Sequence, residues 1–262
     1  MAMTTTNPAL RETIFDRVRR EDDTAPMTMT IRGTAIKTGW LLGILLVAAG
    51  FAWWMSLAPI EAAAGQAARF AVQPVSIVFV AVGCIGGLIL SLITIFRPRS
   101  APWSAPIYSA FEGLALGGIS AWFETIYPGI VLEAVTLTFS VLAVMLGLYA
   151  FRIVQATAWF RTGVIAATGA IALVYIVDIV LRLFGVGVPF IHETGWVGIG
   201  FSLFVVTIAA LNLILDFDLI EQYARRGAPL YMEWYGGFAL MVTLVWLYLE
   251  ILRLLSKLRS RS

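Results

Sequence analysis

The chain is poor in the side chains on which soluble folding and catalysis draw. Charged residues make up only 13% of its 262 positions, about half the share of a soluble domain. It has a single cysteine, Cys84, so an intrachain disulfide is excluded and no cysteine metal site is suggested. Set within VGCIGG, Cys84 reads as a small packed residue. The only histidine, His192, falls in the loop PFIHETG, which leaves no nucleophile and base at membrane depth and excludes an intramembrane serine protease. His192 and Glu193 are too few ligands for a metal site, and that loop reads as solvated. No phosphate-cradling glycine loop and no HExxH occur. The expectation is a protein that is not an enzyme, with no cofactor and no nucleic-acid partner.

What the chain has is apolar length. Apolar residues make up 60% and mean hydropathy is +0.88. Seven apolar runs of roughly twenty residues, the span of a bilayer core, cover 37–57, 74–96, 105–124, 127–152, 162–184, 195–220 and 234–256. They predict an all-α, polytopic membrane bundle of seven helices over residues 35–262. Residues 1–34 mix charge and proline without a long apolar core and are no signal peptide. Leu10, Ile14 and Val18 have helical spacing for the membrane surface, but a loosely ordered cytosolic tail is the better reading.

Lys and Arg near the run ends set orientation. The tail carries five Arg plus Lys37, and Arg97, Arg99, Arg152, Arg161, Arg225 and Arg226 fall on the same side. The opposite connections hold only Arg69, so the N-terminus is expected in the cytosol. Lys257, Arg259 and Arg261 break the pattern: either the seventh run does not span normally or the charge signal is overridden there. Ser109, Gly113, Gly117 and Ala121 recur at four-residue spacing, a stripe that lets another helix of the bundle approach closely.

Ionisable groups at membrane depth mark function by default. Asp178 and Arg182, four apart, read as a local pair, and Glu124 and Glu133 as interfacial. Glu112 lacks a nearby basic residue and is a secondary candidate for a polar path. Asp218, Glu221 and Gln222 read as a solvated helix extension, with Glu221 able to pair with Arg225. Two acids stand out. Asp216 lies in LILDFDLIEQ with Asn212 one turn deeper, and Glu250 lies in VWLYLEILRLL, where a local pair with Arg253 is the structural alternative.

These two segments resemble the signature of the Bax inhibitor-1 (transmembrane Bax inhibitor motif) family. Asp216 with Ile220 fits an aspartate at the end of the sixth helix, and Leu247 to Ile251 fits a Leu-Tyr-Leu-acid-Ile motif on the seventh. The similarity extends from about residue 31 to the end through MTIRGTAIKTGWLL and AFEGLALGGIS, closest to the bacterial branch. It implies six helices around a central, unusually apolar seventh, and a pH-sensitive calcium leak with Asp216 and Glu250 as a shared proton sensor. Calcium ions, protons and the lipid bilayer are then the partners. The sequence departs from the family pattern in having Glu at 250 and an interval of 34 residues between the acids.

Two carboxyls within hydrogen-bond reach hold one proton between them, and Arg97 or Arg99 could compete for an ionised Asp216. Straight helices, however, put Asp216 about 6 Å and Glu250 about 22 Å deep. The two can meet only if YMEWYGGFAL is partly a surface or re-entrant segment, for which Gly236 and Gly237 offer a break. A membrane scaffold that binds other membrane proteins, its acids serving only the fold, is the alternative function.

Overall fold

The computed structural model describes residues 28–60, 69–185 and 195–261. Seven long helices carry the fold: α1 (Ile31–Ser56), α2 (Val75–Phe96), α3 (Ala101–Ile126), α4 (Ile130–Ala150), α5 (Ala158–Leu183), α6 (Trp196–Arg225) and α7 (Met232–Arg259). A two-stranded antiparallel hairpin, β1 (Leu57–Ile60) and β2 (Arg69–Val72), pairs Leu57 with Val72 in the α1–α2 connection. Residues 1–27 of the expected tail, and His192 with Glu193, lie outside the described residues. The helical domain starts at Ile31, with the Thr30 hydroxyl accepting from the Gly33 N–H as N-cap and Met29 already buried.

Six of these helices are long and apolar enough to cross a membrane; α3 is the exception. Its composition follows from its place. α3 packs along both α1 and α2 and also touches α7, so most of its surface faces helices, with Trp103, Ile107 and Trp122 left exposed. With no hydrophobic drive between helices in a bilayer, small residues that allow backbones to approach supply the packing. The stripe at Ser109, Gly113, Gly117 and Ala121 does this: a Cβ at Gly113 would lie 2.4 Å from Leu45 O, and one at Gly117 2.3 Å from Ala49 O. Cys84, expected to be packed, is exposed on α2 instead.

α7 is the central element, packed against α1, α3, α4 and α6, and it is the most buried of the spanning helices. Its centrality agrees with the resemblance, but its composition does not: it is less apolar than α2. Glu233, Glu250 and Lys257 are all buried on it. Nor is it broken. Its 28 residues run unbroken for about 42 Å, more than a 30 Å hydrocarbon core requires. Gly236 and Gly237 are contact positions: a Cβ at Gly237 would come within 3.1 Å of the Thr38 hydroxyl and 3.2 Å of Leu41. The re-entrant segment is thereby excluded.

Candidate functional site

α6 and α7 run antiparallel and in contact, and the two acids singled out in the sequence lie on them. Asp216 is half-buried and accepts a hydrogen bond of 2.6 Å from the Thr243 hydroxyl of α7. It has no cationic partner among the described residues. One turn away on α6, the Asn212 amide donates to the Thr168 hydroxyl of α5 at 2.8 Å and to Ile208 O at 2.9 Å. Acid and amide thus share a stretch of α6 but reach different neighbours.

Glu250 is 2% exposed and belongs to another constellation. The Tyr175 hydroxyl of α5 donates to its Oε1 at 2.9 Å, and Arg253 Nη1 donates to both oxygens at 3.0 and 3.2 Å. Arg253 also donates to the Tyr175 hydroxyl at 2.6 Å and lies over its ring, 5.1 Å from the centroid. The direct carboxylate pair is therefore absent. Thr243, which holds Asp216, is seven residues before Glu250 on an unbroken helix, about 10 Å along the axis. The local pair with Arg253 is what forms, joined by Tyr175, for which the sequence offered no signal.

The other candidates fall elsewhere. Arg97 and Arg99 are exposed and make no contact with Asp216. Glu112 is half-buried where α2 meets α3, over Gly87, whose added Cβ would lie 2.7 Å from its Oε2. Asp218, read as solvated, is paired: Arg161 of α5 reaches it at 2.6 Å and Gln222 at 2.6 Å. Glu221 pairs with Arg225 as expected and also accepts from the Tyr149 hydroxyl of α4. Asp178 pairs with Arg182 at 3.0 Å. No group of three or more His, Cys, Asp or Glu that could hold a metal ion occurs among the described residues.

Two polar anchors at the ends of α7 escaped the sequence reading. Glu233, 3% exposed in the first turn, accepts from the Thr30 N–H at 2.8 Å, from the Thr30 hydroxyl at 2.9 Å and from Lys37. Gly33 leaves room for it, since a Cβ there would lie 2.0 Å from Oε1. At the other end, Lys257 donates to Gly198 O at 2.9 Å and to the Ser202 hydroxyl at 2.8 Å. Arg259 reaches Pro128 O and Glu133, each at 2.6 Å, and Arg261 stacks 3.8 Å from the Trp196 ring centroid. The basic C-terminus that disturbed the charge pattern is therefore bound to the α3–α4 connection and the start of α6, at the end of the bundle opposite Thr30. α7 is long and apolar enough to cross completely.

No curated protein matches the chain. A sequence profile for the family described as Bax inhibitor 1 like matches residues 7–260. That span takes in all seven helices and both acids, Asp216 with its Thr243 contact and Glu250 in its ring with Tyr175 and Arg253, and the chain belongs to the Bax inhibitor 1 like family.

Proposed function

We propose that the protein is a pH-sensitive leak for calcium ions in the plasma (inner) membrane, its N-terminus cytosolic, in which Asp216 is the titrating group. It is a conducting protein in this reading, not an enzyme, and calcium is its permeant ion, not a cofactor. The observation that carries the reading is the state of Asp216: a carboxyl at the α6–α7 contact, bonded to a hydroxyl and to no cation among the described residues. An ionisable group so placed is costly to keep and typically serves an ion or proton path. Ionised, it accepts from Thr243 and ties α6 to α7. Protonated, it loses the charge that strengthens that bond, and the contact between the two helices loosens. Glu250 does not share the proton in this scheme, because Arg253 neutralises it locally.

The test is calcium flux into vesicles that contain only the purified protein, followed from about pH 5 to 8, a range wide enough to show a change in carboxyl charge. Flux that changes with pH supports the leak. A second reading, a membrane scaffold whose acids serve the fold, is favoured by the pairing of Glu250, Asp218, Glu221 and Glu233 within the protein. Absence of flux at every pH would leave that reading standing.

A further inference from the structure

Between α1 and α4 the bundle is open. Each of the two packs against α7, but they make no packed contact with one another. Two cavities occupy the gap, one of about 760 Å³ at the end where α1 begins and one of about 490 Å³ towards the opposite end, and both are lined by Leu42. Together they form a slot running down the bundle, with α7 as its floor from Leu240 to Tyr248 and the last turns of α6 closing its upper end. Its walls are apolar inside, with Leu42 of α1 facing Leu142 and Leu146 of α4 in the upper part and Leu45 and Phe139 below. At its upper mouth stand Tyr149, Arg152 and Gln155.

The charges at that mouth are uneven. Asp218 is matched by Arg161 and Glu221 by Arg225. Arg152 is exposed, and its guanidinium has no hydrogen bond or ion pair among the described residues. A cation at a membrane boundary above an apolar slot has the polarity of one kind of molecule: a phosphate head joined to a long hydrocarbon tail. From Thr34 to Leu46, twelve residues of α1 cover about 18 Å, more than half of a hydrocarbon core of about 30 Å. That is the reach of an acyl chain from its own leaflet.

We propose that the slot between α1 and α4 binds a glycerophospholipid from the leaflet at the N-terminal end of the bundle, with its phosphate on Arg152 and one acyl chain lying over α7 past Leu146, Leu142 and Leu42. Arginine suits the phosphate because its planar donors pair with two oxygens at once. Asp218 and Glu221 line the same mouth and Arg152 lies within electrostatic reach of Glu221, but Tyr149 and Arg225 bond Glu221 and Arg161 bonds Asp218, which leaves the Arg152 donors open to a phosphate. The site closes a flank of α7 along which α1 and α4 do not pack against each other among the described residues. Its lining passes next to the Asp216–Thr243 contact, through Phe217, Asp218 and Leu244, but includes neither Asp216 nor Thr243, and the proposal does not depend on the leak.

The probe is phosphatidylglycerol carrying a diazirine midway along one acyl chain, added as a minor component to phosphatidylcholine vesicles that contain the full chain. After illumination, labelled peptides should cluster on the Leu42 and Leu142 to Leu146 segments. Arg152→Gly is the decisive variant. Arg152 sits at φ 57°, a backbone conformation that glycine adopts without strain, so the fold survives while the guanidinium is lost, and slot labelling should fall several-fold. Leu146→Trp, which fills the slot, should lower it as well, and Arg226→Gln, at an exposed arginine of the same end, should not. Millimolar inorganic phosphate should leave the labelling unchanged. Equal labelling of exposed Ile77 and Ile85 on α2, or labelling indifferent to Arg152→Gly, would mean annular lipid alone and overturn the proposal. Displacement by inorganic phosphate would overturn it too, by assigning Arg152 to free phosphate.

Discussion

Thr30 and Glu233 are 203 residues apart in sequence and joined by two hydrogen bonds, from the Thr30 N–H at 2.8 Å and its hydroxyl at 2.9 Å. The carboxylate thus satisfies the start of α1 while lying in the first turn of α7, and Lys37 supplies its counter-charge from the next turn of α1. The central helix is thereby fastened to the first one where the chain enters the bundle. The neighbouring Met29 N–H adds a bond of 2.7 Å to Ala228 O.

Breaking this anchor from one side should cost more than removing it whole. Lys37→Met leaves a carboxylate of 4% side-chain exposure without its cation, a change that costs about 3–5 kcal/mol for a buried pair. Adding Glu233→Gln, which keeps an acceptor for Thr30, should recover much of that loss. Thermal unfolding of the detergent-solubilised variants gives the order directly: single Lys37→Met lowest, double variant intermediate, parent highest. A double variant no better than the single one would mean that the ion pair is not the main contribution.

The ring of Glu250, Tyr175 and Arg253 makes a graded prediction. Tyr175→Phe removes one hydroxyl that bridges acid and base and should cost about 1 kcal/mol, the usual net worth of one hydrogen bond. Arg253→Met removes the cation that bonds both oxygens of the buried carboxylate and should cost about 3 kcal/mol or more. A reversed order in unfolding experiments would show that Tyr175, not Arg253, carries Glu250.

The two chain ends should report opposite sides of the membrane. α7 is long and apolar enough to cross completely, and Arg259 bonds Glu133 and Pro128 at the far end from Thr30. In a Cys84→Ser background, needed because Cys84 is exposed, a cysteine placed at Ser260 and one placed at Thr28 should react with a membrane-impermeant thiol reagent from opposite faces of sealed vesicles. Reaction from one face would return the C-terminus to the side of the N-terminus and require α7 to leave the membrane where it entered.

Apolar runs made seven helices legible because a bilayer demands about twenty apolar residues for each crossing. The stripe from Ser109 to Ala121 was legible for a similar reason, since small residues four apart make a groove. Glu233 was not, because an acid in the first turn of a helix looks like a partner for the helix dipole, and Lys37 and Thr30 stand some two hundred residues away. The separation of Asp216 and Glu250 was present in the helix geometry at 1.5 Å per residue, whereas the family resemblance drew them together. Geometry decided that point. Tyr175 had no signal at all, as one of three aromatics on an apolar helix.

The decisive measurement for Asp216 is the pH profile of calcium flux. Asp216→Asn preserves size and can still accept from Thr243, but it cannot ionise, so packing is kept while the charge is lost. Flux through this variant should be nearly independent of pH from about 5 to 8, at the level the parent reaches at the acidic end, because Asn resembles the protonated acid. Asp218 is a poor control despite being two residues away, since Arg161 and Gln222 both hold it and Asp218→Asn would break an ion pair. Glu112 is the better comparison: it is half-buried, has no hydrogen-bond partner among the described residues, and lies at the α2–α3 contact away from Thr243. Glu112→Gln should therefore keep the parent's profile. If the two variants exchange behaviour, with Asp216→Asn retaining the pH response and Glu112→Gln flattening it, the titrating group lies on α3 and the α6–α7 contact is structural.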